Sequence, residues 1–473
     1  MIKPLLLATA VTFAAAPAAA QSISASDKAQ GAKANPQLLA EFGGPYEGPQ
    51  AAYVEQVGKR VAVQSGLSNA QGDFTVALLN SPVENAFAIP GGYIYVTRQL
   101  LALMNSEAEL ASVMGHEVGH VAARHSAGRQ RTATIGGVLA GIVGAVAGNG
   151  AIGSLLGAGA QQAAGLYTLK YGRDQEYAAD SLGVQYITRA GYSPYAAAEM
   201  LEQLNAATTL QARLAGRDAN AVPTWASTHP NSLDRVRRAE RLAQATGRSD
   251  AQGAQDTAFL RRLDGLRYDD DPKQGVIEGQ TFRHPDLRVR FTAPTGYTIA
   301  NGAEAVTIAG QGGQAQFRGD RATDDLAGYI ATRFRALGAT ASGEVRTGSA
   351  NGVPYAYSTI GAAANNRAVD ATVVAYRFPS ATYSFKLVTP RGSGIGPFQS
   401  LVSSVAPLTQ AEAAAIKGKR IRIVTVRAAD TIDSLARQMA YPSYQRERFL
   451  TLNGLDAGAR LTPGMLVKVV VTG

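Results

Sequence analysis

Two histidines and a glutamate lie within the five-residue segment HEVGH, His116 to His120. Residues four apart on an α-helix share one face, so both imidazoles can reach the same metal ion. Glu117 lies beside them and is placed to act as a general base on a metal-bound water. The alternative is a structural histidine pair on a surface helix, and the rest of the chain distinguishes the two interpretations.

A catalytic zinc site needs a third protein ligand and one open position. The chain contains no cysteine, so the third ligand must be His, Asp or Glu. Glu176 and Asp180 lie four apart in a second predicted helix, and we expect Glu176 to bind the metal. We expect Asp180 to accept a hydrogen bond from a ligand histidine. His125 is interpreted as structural, and one Zn²⁺ per chain is predicted.

His229 lies in the segment STHPNSLDR, with Arg235 six residues further on. A histidine or an arginine near a metal-bound oxyanion can stabilise its charge, so both residues are candidates for catalysis. One alternative is that His229 itself occupies the open metal position. Another is that the segment is a loop before a helix, with no catalytic role.

The segments around HEVGH predict the elements that must position it. Ser106 and Glu109 form a predicted capping box at the start of the metal-binding helix. The segment NAFAIPGGYIYV predicts a strand, a Pro-Gly-Gly turn and a second strand. We expect a substrate peptide to pair with an exposed edge of that second strand, and the alternative is a core strand. The predicted substrate-binding residues are Gly92, Tyr93, Ile94 and Tyr95.

The first twenty residues predict a secretory signal peptide, with an apolar run followed by small residues up to Ala20. A membrane anchor is the alternative, but the apolar run is short for a membrane span. We therefore expect a periplasmic protein that is soluble after cleavage, with a flexible start from residue 21 to about 35. The formal charge of +9 suits anionic neighbours. Nucleic acid is not expected, because no dense basic cluster with interleaved aromatic residues occurs.

Residues 132–169 carry no charged side chain and are mostly Ala, Gly and small aliphatic residues. Each arm of this segment is too short to span a bilayer. We expect a hairpin packed on the protein, and the alternatives are a peripheral membrane contact and a hairpin that covers the active site.

The predicted fold is multidomain α+β. A mainly helical peptidase domain with a small β-sheet occupies residues 36–245. The strands and helices of residues 275–408 predict an α+β accessory domain of unknown role. Residues 419–473 predict a third domain with a βααβ order.

The quoted motifs resemble a known family. HEVGHVAARH, the pair Glu176 and Asp180, HPNSLDR and NAFAIPGGYIYV are similar to zinc metallopeptidases related to CAAX prenyl proteases and HtpX. The resemblance is strongest to the soluble, exported, BepA-like branch. It implies a gluzincin-type site in which His116, His120 and Glu176 bind zinc and Glu117 is the base. It also implies envelope proteins as substrates.

Residues 419–473 resemble a LysM domain, although Ala429 stands where that family usually has glycine. The resemblance implies binding to N-acetylglucosamine-containing glycans such as peptidoglycan. The candidate glycan-binding residues are Asp430, Thr431 and Asn453.

The leading hypothesis is therefore an exported zinc metalloendopeptidase. It would cleave misfolded or misassembled envelope proteins while the LysM-like tail holds it near peptidoglycan. One alternative is a peptidoglycan hydrolase. The other is a latent or non-catalytic, chaperone-like scaffold on the same fold.

Overall fold

The computed structural model describes the greater part of the chain, and the gaps fall in a few segments. The predicted signal peptide and residues 132–169 lie outside the described part, so both predictions stay as they are. The described residues are 22–67, 70–125, 171–215, 229, 233–249, 255–302, 305–364 and 367–473.

The HEVGH segment lies among helices that pack against a small sheet. The strands of that sheet are β1 (Thr75–Leu79), β2 (Ala86–Ile89) and β3 (Tyr93–Thr97). The helices are α1 (Ala25–Glu41), α2 (Pro49–Ala62), α3 (Ala70–Asp73), α4 (Arg98–Leu103), α5 (Glu107–Ala122), α6 (Arg173–Arg189), α7 (Ala196–Ala215), α8 (Leu233–Ala245) and α9 (Thr257–Arg262).

Strand β3 is the central strand of this sheet. It pairs in parallel with β1 on one side and antiparallel with β2 on the other. Both of its edges are occupied, so the prediction that Gly92, Tyr93, Ile94 and Tyr95 offer an open edge to substrate is wrong. Ile94, Tyr95 and Val96 are all buried, and a run that is apolar on both faces is typical of a central strand.

Helix α1 covers most of the segment predicted to be a flexible start, so that prediction is wrong from residue 25 onward. The helix begins after Ser24, whose Oγ accepts the backbone N–H of Asp27 at 3.0 Å. Near its other end, Leu38 and Phe42 are buried against Phe87 of β2. These tertiary contacts hold a segment whose own sequence carries a weak helical pattern.

Helix α5, which carries HEVGH, begins as predicted at Ser106. The Ser106 Oγ accepts the backbone N–H of Glu109 at 3.1 Å. The carboxylate of Glu109, however, accepts the backbone N–H of Asn105 at 2.8 Å. The predicted capping box is thus only half formed, because Glu109 caps the residue before Ser106.

Residues from about 276 to 407 form two packed sheets, as the α+β prediction expects. The short strand β4 (Arg267–Tyr268) precedes them and belongs to neither sheet. The strands of the two sheets are β5 (Val276–Glu278), β6 (Thr281–His284), β7 (Val289–Thr292), β8 (Thr298–Asn301), β9 (Val306–Gly310), β10 (Gly313–Arg321), β11 (Arg346–Ala350), β12 (Val353–Ala364), β13 (Arg367–Arg377), β14 (Ala381–Pro390) and β15 (Ala406–Pro407). One sheet has the strand order β11-β12-β13-β14-β10-β9-β8 and the other β15-β7-β6-β5. Buried aromatic residues of both sheets share one core. The helices are α10 (Leu326–Ala336) and α11 (Gln399–Ser404).

The C-terminal segment has the predicted order of strand, helix, helix and strand. After the short helix α12 (Gln410–Ala415) come β16 (Lys419–Thr425), α13 (Ile432–Ala436), α14 (Gln445–Leu452) and β17 (Leu466–Thr472). Strands β16 and β17 pair antiparallel, and β16 also pairs with β4.

This C-terminal unit and the HEVGH region share one hydrophobic core. Leu435, Phe449 and Val467 lie in the same buried cluster as Val113 and Met114 of α5. The contact between the two units is therefore extensive and apolar. Among the described residues, no helix is long and apolar enough to cross a membrane.

Candidate metal centre

Helices α5 and α6 approach each other closely because glycine occupies their contact positions. A Cβ atom on Gly183 would lie 3.0 Å from the backbone nitrogen of His116, and one on Gly119 would lie 2.9 Å from the carbonyl oxygen of Ala179. Any larger residue would push the helices apart. This close packing allows Glu176, on α6, to reach the two histidines of α5.

Four buried side chains converge between these helices. They belong to His116, His120, Glu176 and His229, and one ligand atom from each lies within 4.8 Å of all the others. His116 Nε2 lies 3.0 Å from His120 Nε2 and 3.3 Å from His229 Nδ1. Glu176 Oε1 lies 3.1 Å from His229 Nδ1 and 3.5 Å from His120 Nε2.

These separations fit a tetrahedral zinc site. With metal–ligand bonds of about 2.0–2.1 Å, ligand atoms in a tetrahedron lie about 3.3 Å apart. The Nδ1 atom of His116 lies 3.0 Å from the Asp180 carboxylate, so Nδ1 carries the proton and Nε2 presents a lone pair to the centre. A cation among these lone pairs and the carboxylate would offset their mutual repulsion.

The charges around the cluster favour a bound cation and neutral ligands. Burial lowers the pKa of His120 well below its usual value, and His116 and His229 lower it further. His120 is therefore a neutral imidazole, the form that binds metal. Burial also opposes charge on His116, but the hydrogen bond to Asp180 and the charge of Glu176 raise its pKa overall.

Arg235, on α8, holds the carboxylates that support the cluster. Its Nε and one terminal nitrogen donate to the two oxygens of Asp180 at 2.8 and 2.7 Å, and the other terminal nitrogen lies 2.8 Å from Glu176. Although burial alone would raise it, Arg235 and His116 hold the pKa of Asp180 well below its usual range. The ionised Asp180 in turn fixes the ring of His116.

Glu117 is fully buried beside the cluster. Neither of its carboxylate oxygens has a hydrogen-bond partner among the described residues, and one lies 3.6 Å from His229 Nε2. Burial raises the pKa of this carboxyl. A carboxylate placed in this way is available to accept a proton from a water molecule at the centre.

Two neighbours of His120 add to the predicted site. The ring of Tyr171 stacks on His120 with centroids 3.6 Å apart, and it is buried. The sequence reasoning missed this residue, because a tyrosine just before a helix carries no metal-site signal. His125 lies outside the four-residue cluster, but its Nδ1 is 2.9 Å from Nδ1 of His120. His125 therefore lies next to the site and orients the ring of His120.

The candidate glycan-binding residues lie apart from this cluster, in the C-terminal unit, and are engaged locally. The Asn453 amide donates to the carbonyls of Phe449 and Lys468 and accepts the Lys468 N–H. Thr431 caps α13, and Asp430 accepts the N–H of Arg427. The Asn453 amide hydrogens are both used internally, which disfavours a direct glycan contact there.

The four converging side chains fit a single buried metal ion, and comparison with known proteins indicates the metallopeptidase class. Residues 49–243 match the model of peptidase family M48. This match contains the two histidines, Glu117, Glu176, Asp180, His229 and Arg235.

Named relatives align with part of the chain. The mitochondrial metalloendopeptidase OMA1 of Schizosaccharomyces pombe is 31% identical over 211 residues, which cover 43% of this chain and 57% of that protein. The beta-barrel assembly-enhancing protease of Yersinia pestis is 30% identical over 44% of this chain and 42% of its own. The corresponding Escherichia coli K12 protease is 31% identical over 38% of this chain and 36% of its own.

The aligned part thus covers 57%, 42% and 36% of the length of these three relatives. The family match and the named relatives support a metalloendopeptidase, and the buried cluster fits a single zinc ion.

Proposed function

We propose that this chain is an exported, zinc-dependent metalloendopeptidase that hydrolyses misfolded or misassembled envelope proteins. The observation that carries the proposal is the convergence of His116, His120 and Glu176 beside a buried Glu117 that lacks a hydrogen-bond partner among the described residues. The similarity to beta-barrel assembly-enhancing proteases supports the choice of envelope proteins as substrates. A periplasmic location is proposed from the predicted signal peptide.

In this proposal, His116, His120 and Glu176 hold the metal. A bound zinc ion supplies a Lewis acid that polarises the scissile carbonyl and lowers the pKa of a coordinated water. Glu117 takes the proton of the attacking water and returns it to the leaving amine. Its buried position, which raises its pKa, makes it a better proton acceptor than an exposed carboxylate.

Asp180 and Arg235 act through the ligands. Asp180 fixes the tautomer and the ring orientation of His116, and Arg235 neutralises both Asp180 and Glu176. Their role is to keep the donor set in place when substrate enters.

His229 occupies the fourth ligand position in this arrangement, which supports a latent state of the enzyme. Its Nδ1 lies among the other three ligand atoms, at the position a catalytic site leaves open for water. For hydrolysis His229 has to leave this position. In this proposal the displaced His229 stabilises the oxyanion of the tetrahedral intermediate.

The latent state is tested by His229→Ala. If His229 blocks the open position, this variant hydrolyses an unstructured protein such as casein faster than the wild type. If His229 serves only as an oxyanion donor, the variant loses about 10²–10³ in rate instead. Zinc content of both proteins is measured alongside, so that metal loss is not mistaken for either effect.

The substrate class is tested with envelope proteins presented folded and unfolded. The proposal expects hydrolysis of denatured outer-membrane proteins, no hydrolysis of the same proteins once folded, and loss of activity in Glu117→Gln. Equal hydrolysis of folded and unfolded forms would refute the quality-control role, whereas the assignment as a peptidase would stand.

Peptidoglycan binding by residues 419–473 belongs to the same proposal and has its own test. The LysM-like order of elements and the basic chain favour retention on purified cell wall in a sedimentation assay. Full recovery in the supernatant at low salt would remove the wall-tethering role.

A further inference from the structure

A cleft of about 230 Å³ adjoins the metal ligand His120. One wall is the last turn of α5, and a second is the end of β2 with its following turn. The third wall comes from the N-terminal turn of α1. The apolar residues that line the cleft are Ile23, Leu67, Ile89, Pro90, Val121 and Ala122.

The α1 wall is held firmly across the β2–β3 turn. A Cβ on Gly91 would lie 2.8 Å from the carbonyl oxygen of Asp27, and one on Gly92 would lie 2.7 Å from Cδ1 of Ile23. Both glycines have positive φ angles, of 89° and 82°, which other residues rarely adopt. The glycines therefore let the start of α1 lie directly against the turn.

An ion pair links the α1 wall to the metal-binding helix. Asp27 lies 3.4 Å from the guanidinium of Arg124, which follows α5 directly. Arg124 has a φ of 52°, in the left-handed region that a non-glycine residue seldom occupies. The backbone turns sharply here, and the Arg124 side chain lies at the cleft with Asp27.

We propose that this cleft is a side-chain subsite of the peptidase, and that Ile23, just before α1, is a specificity-determining residue that limits its size. The inference rests on the proposed function and adds a substrate class to it. The occupant is a large apolar side chain, leucine or phenylalanine, next to the bond that is cleaved.

The position of the cleft argues for this occupant. His120 borders both the cleft and the ligand cluster. A peptide whose scissile carbonyl lies at the metal therefore places a neighbouring side chain beside His120. The apolar lining gives such a side chain binding energy only if it is apolar. Sequences that are normally buried in a folded protein supply these side chains, in agreement with unfolded substrates.

The subsite is tested with short peptides that carry Gly, Leu, Phe or Glu next to the cleaved bond. The wild type is expected to favour Leu or Phe over Gly and Glu by about tenfold or more in kcat/KM. Ile23→Ala widens the cleft and should shift the preference toward Phe. Ala122→Phe fills the cleft and should shift it toward Gly. Two shifts of opposite direction are hard to produce by general loosening of the fold.

Leu39→Ala is the matched control. Leu39 belongs to α1 and is not among the residues that line the cleft. This variant should keep the wild-type ranking of peptides. An unchanged ranking in Ile23→Ala and Ala122→Phe, with zinc bound, would overturn the subsite.

Failure of the proposed function is distinguishable from failure of the subsite. If the wild type cleaves none of the peptides, binding of leucyl and glycyl hydroxamates to the zinc-loaded His229→Ala variant replaces hydrolysis as the readout. Tighter binding of the leucyl compound that is lost in Ala122→Phe would support the subsite without activity. Equal binding of the two compounds in all variants would overturn it.

Discussion

Replacement of Lys468 by methionine should destabilise the metal-binding region, although Lys468 belongs to the C-terminal strand β17. Its ammonium group is fully buried. It donates to the carbonyl oxygens of Ala102, Leu103 and Met104 at 2.8, 3.0 and 2.7 Å. These carbonyls end α4 and lead directly into α5, which carries two metal ligands. Lys468 thus caps α4 from a distance of more than 360 residues along the chain.

The expected loss follows from what methionine leaves behind. Methionine fills a similar volume but cannot donate, so the carbonyls at the end of α4 lose their partner. A buried group without its hydrogen bond costs about 1–3 kcal/mol. Glu109 also loses its electrostatic interaction with Lys468. Because burial already raises the pKa of Glu109 to about 7, this acid takes up a proton in the variant and avoids most of the cost of an unpaired charge. We therefore expect a total loss of about 1–3 kcal/mol.

The assay is urea unfolding of the zinc-free protein at pH 7, with Lys417→Met as the matched control. Lys417 is an exposed lysine just before β16, and its replacement should change stability by less than about 0.5 kcal/mol. The double variant Lys468→Met/Glu109→Gln should lose less than the two single changes together. If Lys468→Met unfolds within about 1 kcal/mol of the wild type, the C-terminal unit does not clamp α4 as described.

Three further predictions concern charge in the same core. Burial lowers the pKa of Lys468 to about 7 and raises that of Glu109 to about 7. Stability from Lys468 is then present above about pH 10.4 and lost as the pH falls through 7, whereas stability from Glu109 is present below about pH 4.3 and lost as the pH rises through 7. The stability difference between the wild type and the double variant should therefore be smallest near pH 7, as urea unfolding at pH 5, 7 and 9 would reveal; a monotonic trend would contradict this. Asp180→Asn should weaken zinc binding about 10–100-fold in competition with a chromogenic chelator, because the His116 ring loses its charged acceptor; unchanged affinity would exclude that role. Arg235→Gln should cost the zinc-free protein about 3–5 kcal/mol, because the carboxylates of Asp180 and Glu176 are left buried without a cation; added zinc should restore part of this loss.

The candidate metal ligands could be chosen from the sequence because their signal is local and chemical. Histidines four apart on one helix, with a carboxylate pair four apart on another, leave few arrangements other than a shared ion. The structure brings Glu176 and His229 to the histidine pair. The close approach of α5 and α6 depends on Gly119 and Gly183. The spacing of the ligands does not predict this approach.

The predictions that were wrong concern contacts made over long distances in the chain. The pattern of β3 did not reveal that β1 and β2 occupy both of its edges. Nor did the residues after Gln21 reveal that Phe87 and its neighbours would hold α1 in place. In the same way, Lys468 appeared as one charge in an apolar strand, and its partners are the end of another helix. Each of these features is set by tertiary packing, which local periodicity does not encode.

The most direct test of the central claim is the zinc content of the purified protein together with casein hydrolysis, for the wild type and Glu117→Gln. We predict one zinc ion per chain in both proteins. We also predict that the wild type hydrolyses casein or, if His229 blocks the site, that His229→Ala does. Replacement of Glu117 should abolish hydrolysis in both backgrounds. Absence of zinc from both proteins, or undiminished hydrolysis in Glu117→Gln, would contradict the account.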